Sequence, residues 1–219
     1  MLFRSGGIVN GWDAIYDNNK YRSGVAQVFI SPFENFNIYL NWIGGHEDGF
    51  KNGAINYNTD KKELSMRHLF DLTTGYQITD KFYIGVNAAY GMVTKQLNEE
   101  NGELNKTKTW GGAALYSNYK INDIFGIGAR IEKFDNSSGA IFLTNKRVGV
   151  NPVGTDVTSF TLTPNISLDG GKLILKPEFR LDMAAKKADG DDVQQYEDDK
   201  GMFSKTTQST FGMAAIFMF

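Results

Sequence analysis

The chain has 219 residues and a formal net charge of −2, which gives no basic footprint for nucleic acid. Its mean hydropathy is −0.34, and no run approaches the roughly 20 apolar residues that a spanning helix needs. It holds no Cys and only 2 His, so disulfides, thiol catalysis and Cys- or His-rich metal sites are excluded.

In chain order, Phe3 to Asn10 is a weak strand candidate containing Gly6 and Gly7, and Gly11 to Lys20 is a loop rich in Asp, Asn and Gly. Arg22 to Ser31 alternates Ala26, Val28 and Ile30 against Gln27. Pro32-Phe33-Glu34-Asn35 then makes a tight turn, because Pro fixes its φ and Asn tolerates turn geometry. In Phe36 to Gly45, Phe36, Ile38, Leu40 and Trp42 alternate with Asn37, Tyr39 and Asn41, completing a hairpin.

After the polar stretch His46 to Lys62, the run Glu63 to Ile78 places Met66, Phe70, Leu72 and Tyr76 on one face, with Arg67, Asp71, Thr73 and Gly75 on the other. Thr79-Asp80-Lys81 turns the chain. Phe82 to Lys95 follows, with Phe82, Ile84, Val86 and Tyr90 opposing Tyr83, Gly85, Asn87 and Gly91. Gln96 to Lys106 is a polar loop. Thr107 to Lys120 has the length of a strand, but both its sides are small (Gly111, Gly112, Ala113, Ala114), so its faces stay unassigned.

Beyond the turn at Asn122-Asp123, Phe125, Ile127, Ala129 and Ile131 oppose Gly126, Gly128, Arg130 and Glu132. A third long loop spans about residues 135–155. Phe160, Leu162, Pro164 and Ile166 then oppose Ser159, Thr161, Thr163 and Asn165, and Asp169-Gly170-Gly171 is a hairpin signal. Leu173, Leu175, Pro177, Phe179 and Leu181 oppose Lys176, Glu178, Arg180 and Asp182. An acidic loop, Lys186 to Ser204, leads to Thr206–Phe219, where Phe211, Met213, Phe217 and Phe219 fall on one face. Pro164 and Pro177 lie inside these runs. Since Pro cannot donate to the ladder, a bulge or irregularity is expected at each.

Tight turns and long polar loops alternate strictly along this chain. Large apolar residues repeat at every second position against small and polar ones. That is the pattern of an antiparallel up-and-down transmembrane β-barrel with short periplasmic turns and long external loops. About ten strands are countable, in a single domain spanning residues 1–219. A soluble barrel or sandwich with its apolar face inward shares the alternation. Strands of roughly 10–14 residues fit a tilted membrane strand better than the usual globular length, and the polar face is rich in Gly, Ala and Asn where solvent would favour Lys and Glu. Tyr21, Trp42, Tyr76, Phe82, Tyr90, Trp110, Tyr119 and Phe125 fall near strand ends and read as aromatic girdles.

The inward residues Arg67, Asp71, Asn87, Arg130, Glu132, Lys176, Glu178, Arg180 and Asp182 are the candidate lumen lining. Their charges either line a water-filled passage and set its ion preference, or pair into a network that fills a narrow interior. Catalysis is not expected: His46, beside Glu47 and Asp48, has no nameable nucleophile, and His68 reads as interfacial or packed. No metal site or cofactor is expected. The acidic loop could hold calcium through carboxylates but lacks EF-hand spacing, and reads as a solvated surface loop.

Short motifs distributed from about residue 8 onward carry a resemblance. They are Asn10-Gly11-Trp12-Asp13 with Asp17-Asn18-Asn19-Lys20, Trp110-Gly111-Gly112 leading to Tyr116, Arg130-Ile131-Glu132-Lys133-Phe134-Asp135, Glu178-Phe179-Arg180-Leu181-Asp182, and the terminal Phe. In their order and spacing the chain resembles the β-barrel porin-2 (OmpL-like) family of Gram-negative outer membranes. The resemblance implies a non-enzymatic outer-membrane porin passing small hydrophilic solutes or ions, with outer-membrane lipid as its surroundings. The final strand also looks like the signal read by the barrel-assembly machinery, with Phe211, Met213, Phe217 and Phe219 outward. Such porins usually carry a leader and further strands before the Asn-Gly-Trp-Asp region, so the chain is expected to be the C-terminal portion of a longer one. The rival expectations are a barrel with a blocked lumen that acts through its loops, and a barrel enzyme that would have to use His46.

Overall fold

The computed structural model describes residues 2–11, 21–46, 65–96, 106–141, 144–145, 153–184 and 195–219. In chain order the strands are β1 (Leu2–Val9), β2 (Ser23–Ile30), β3 (Phe36–His46), β4 (Met66–Thr79), β5 (Phe82–Gln96), β6 (Lys106–Lys120) and β7 (Phe125–Asp135). They continue as β8 (Thr144–Asn145), β9 (Val153–Gly154), β10 (Asp156–Leu168), β11 (Leu173–Ala184), β12 (Tyr196–Glu197), β13 (Phe203–Lys205) and β14 (Thr207–Phe217). Ten of them form one sheet in the order β1-β2-β3-β4-β5-β6-β7-β10-β11-β14, each beside its predecessor. All its pairings are antiparallel. The ten strands are those expected from the alternation. Two further two-stranded sheets, β8–β9 and β12–β13, lie in the segments read as loops. β1 and β14 are the edges and do not pair with each other, so the sheet is open.

The connections bear out the turn chemistry. Asn35 adopts a left-handed φ of 62° between β2 and β3, a conformation Asn accepts more readily than most residues. Between β10 and β11, Gly170 (φ 62°) and Gly171 (φ 93°) do the same without a Cβ penalty.

Because directly opposed residues share a face, the register defines both surfaces of the sheet. One row runs Ile38, Thr74, Val86, Leu115, Ile131, Phe160 and Leu181 across β3 to β11. It belongs to an apolar surface on which Leu40, Phe70, Tyr90, Leu115, Ile131, Phe160, Leu162 and Phe179 are all exposed. Each large apolar side chain left in water forgoes about 1.5–3 kcal/mol, so this face calls for an apolar surrounding. The opposite surface runs Asn37, Gly75, Gly85, Tyr116, Arg130, Thr161, Arg180 and Thr210. The register also assigns the faces of β6: Trp110, Gly112, Ala114 and Tyr116 are on the polar side. Trp110 is therefore not part of an outward girdle. It is buried over Gly91, where an added Cβ would meet its ring at 2.2 Å.

The two prolines produce a gap without a bulge. Leu162 pairs with Phe179 and Ile166 with Leu175 in unshifted register, which sets Pro164 opposite Pro177. Pairing lapses between these points, yet Pro164 still opposes Ile127 on one side and Pro177 opposes Met213 on the other. In an antiparallel pair the N–H and C=O of a residue point to the same neighbour. The two missing donors therefore point at each other, and the loss stays at a single joint.

Candidate functional site

The polar face divides by height and by side. At the loop end, Val93, Trp110 and Ala140 form a buried apolar cluster with Leu69, Phe134 and Ile141 packed on it. Ala140 and Ile141 reach it because the chain after β7 winds around Asn136, which is fully buried. The Asn136 side chain accepts from the Ala140 and Ile141 amides at 3.0 and 3.2 Å and donates to the Ile141 carbonyl at 3.0 Å. Gly154 lies flush beneath it, where a Cβ would sit 1.8 Å from the Asn136 carbonyl oxygen. Arg67 is buried here too, its guanidinium 6.0 Å from the Trp110 ring centroid. It shares the face of the other candidate residues but is packed rather than open.

Below this cluster, β2 to β5 carry an amide network around one carboxylate. Gln27 donates to Asn41 at 2.8 Å, and Asn41 donates to one Asp71 oxygen at 2.6 Å. Asn87 donates to the other Asp71 oxygen at 2.9 Å and to the Thr73 hydroxyl at 3.0 Å. The residues align because Gln27, Asn41 and Asp71 are direct cross-strand partners in unbroken register. A hollow of about 400 Å³ lies against them, with Ser5 and Gly7 of β1 on its far side.

β7, β10 and β11 are built differently. Arg130 meets Glu132 at 2.7 Å, and Arg180 meets Asp182 at 2.8 Å. Each pair joins residues two apart on one strand, so the arginines fall in one cross-strand row and the carboxylates in the next. Ser159, 3% exposed, donates to Asp182 and accepts from Arg180 at 3.0 Å. Glu178 accepts from Thr163 at 3.1 Å. Lys176 makes no ion pair among the described residues. A groove of about 560 Å³ runs along this side between Tyr116, Arg130, Lys176 and Arg180 over Gly128 and Gly212.

The β12–β13 hairpin stands over the loop end of this wall. Burial, reinforced by the nearby Asp182 charge, pushes the Tyr196 phenol up to about 12. Its turn is organised by Asp198, which accepts from the Lys200 and Met202 amides at 2.9 and 3.0 Å and from the Ser204 hydroxyl at 2.8 Å. The Met202 amide first, then Ser204 and the Lys200 amide, hold this carboxyl below the ordinary carboxylate range.

The nine candidate residues thus share one face, but in separate groups: Arg67 in the apolar cluster, Asp71 with Asn87, and the remainder on the far strands. Gln27, Asn41, Thr73 and Ser159 complete the networks without being charged; their positions on the alternating polar face were the available signal. Phe211, Met213 and Phe217 project from the apolar face of the edge strand β14, 73%, 68% and 66% exposed, and Phe219 follows the strand's end. His46 closes β3, with Nδ1 3.3 Å from the Ser65 carbonyl oxygen. Its neighbours Glu47 and Asp48 lie outside the described residues, as do Asp189, Asp191 and Asp192 of the acidic loop. Among the described residues no cluster of three or more metal-binding side chains occurs.

A ten-strand antiparallel meander with small and polar residues on one face and exposed large apolar residues on the other has the construction of a transmembrane β-barrel wall. The family model described as "Putative beta-barrel porin-2, OmpL-like" matches residues 1–219, and the chain belongs to that family. No curated protein and no solved structure matches it.

Proposed function

We propose that this protein is a porin of the Gram-negative outer membrane, through which small hydrophilic solutes or ions diffuse passively along the polar face without chemical conversion. The observation that carries the reading is the separation of faces. Large apolar side chains on one surface need lipid, and the charged and amide side chains of the other need water or partners. On this reading the tight turns lie at the periplasmic rim and the long loops outside. The lining comprises Asp71, Asn87, Arg130, Glu132, Lys176, Glu178, Arg180 and Asp182, with Arg67 anchoring the loop end. Phe211, Met213, Phe217 and Phe219 are the signal presented to the assembly machinery.

The folded protein in planar bilayers should give stepwise conductance, and liposomes containing it should admit small sugars. Folded protein with neither property would exclude the porin reading. A second reading, a barrel with a blocked interior that binds through its loops, is favoured by the packing of Val93, Trp110 and Ala140 on the polar face. It predicts that Trp110→Ala creates a conductance the parent lacks.

A further inference from the structure

We propose that Asp71 is a cation-recognition point on the polar face, taking a small monovalent cation or the ammonium group of a small organic solute. The proposal rests on the porin reading and adds a preferred sign of charge.

The inference follows from how the inward charges are compensated. Arg130 and Glu132 cancel each other, as do Arg180 and Asp182, at 2.7 and 2.8 Å. Lys176 and Glu178 stand two apart on the same face of β11. Asp71 is held by neutral donors only: Asn41 at 2.6 Å, Asn87 at 2.9 Å and Thr73 at 3.4 Å. Amide and hydroxyl donors satisfy lone pairs and fix the carboxylate, but they leave its unit negative charge in place. Among the described residues, no Lys or Arg forms an ion pair with it.

The surroundings are suited to a passing cation. The hollow beside Asp71 gives room for a partly hydrated ion, and its wall includes the Gln27 and Asn41 amides, whose oxygens are the hard ligands such ions accept. No second carboxylate lines this hollow. A single carboxylate with amide neighbours binds weakly, which conduction requires: an ion must enter the site and also leave it. An anion entering the same hollow meets an uncompensated like charge.

The test is the K⁺/Cl⁻ permeability ratio of the folded full chain in a planar bilayer under a salt gradient. Asp71→Asn should lower that ratio up to about tenfold, because one unit charge about 6 Å from an ion in water favours the cation and disfavours the anion by about threefold each. Ala89→Lys sets an ammonium directly opposite Asp71 in the register and leaves the amide network intact. It should lower the ratio at least as much, which keeps the proposal testable if Asp71→Asn folds poorly. ²³Na line broadening by detergent-folded protein reads the site without a pore, and should fall in both variants. Unchanged permeability ratios and unchanged broadening would overturn the assignment. Asp71-dependent broadening in a protein that never conducts would sustain the cation point and defeat the porin reading instead.

Discussion

The two sides of the polar face solve the same problem by different means. On β2 to β5 one carboxylate is surrounded by Asn41, Asn87 and Thr73, and on β7 to β11 Glu132 and Asp182 are each neutralised by an arginine two residues away. The difference teaches that satisfying hydrogen bonds and cancelling charge are separate achievements. The amide side is geometrically complete and electrically open, while the paired side is nearly neutral and owes its form to charge. In a closed barrel the two would face one another across the interior.

The largest expected effect lies where the two sides meet, at Trp110. Trp110→Ala empties the ring from the cluster with Val93 and Ala140, and should cost about 3 kcal/mol in equilibrium urea unfolding. Next comes Arg180→Ala, which strands Asp182 and Ser159 together. Because both are shielded, a loss of about 2 kcal/mol is expected by the same measurement. On the amide side, Asn87→Ala removes one donor from Asp71 and should cost about 1 kcal/mol. If it cost more than Arg180→Ala, the contrast between the sides would collapse. Arg130→Ala should cost under about 1 kcal/mol, since the more exposed Arg130–Glu132 pair is screened by water.

The smallest effect is confined to the hairpin above the paired side. The Asp198 carboxyl is held below its ordinary range by the donors it accepts. Its contribution is therefore complete above the unfolded carboxyl's pKa and disappears as pH falls through the lower folded value. Amide exchange at Met202 and Lys200, corrected for intrinsic rate, should accelerate below about pH 4, while the β11 amides beneath stay protected.

Much of this was open to reading in the chain itself. The alternation of Phe82, Ile84 and Val86 against Tyr83, Gly85 and Asn87 identifies a strand and its two faces, because side chains repeat every second residue. The placement of Asp71 and Arg130 on one surface follows from the same rule. The faces of β6 did not follow, since Gly111, Gly112, Ala113 and Ala114 give neither side a hydrophobic majority. Only pairing with β5 turns Trp110 toward the polar surface. Nor was the winding of the chain about Asn136 legible, because a buried asparagine serving backbone amides has the same composition as a solvated loop. The opposition of the prolines could have been found by counting: Pro164 and Pro177 are equally far from the Gly170–Gly171 bond, about which the hairpin pairs Leu168 with Leu173.

That opposition has a consequence for how the wall bears load. A β-sheet resists tearing through its ladder of hydrogen bonds, and every other joint of the ten strands keeps its donors in mid-strand. Between β10 and β11 the middle of the ladder is interrupted, and the strands are fastened above and below it, at Leu162–Phe179 and Ile166–Leu175. The wall is therefore two panels, one from β1 to β10 and one of β11 and β14, stitched at the ends of their common edge. Strain imposed on the sheet by bending, insertion or pulling would concentrate along that line.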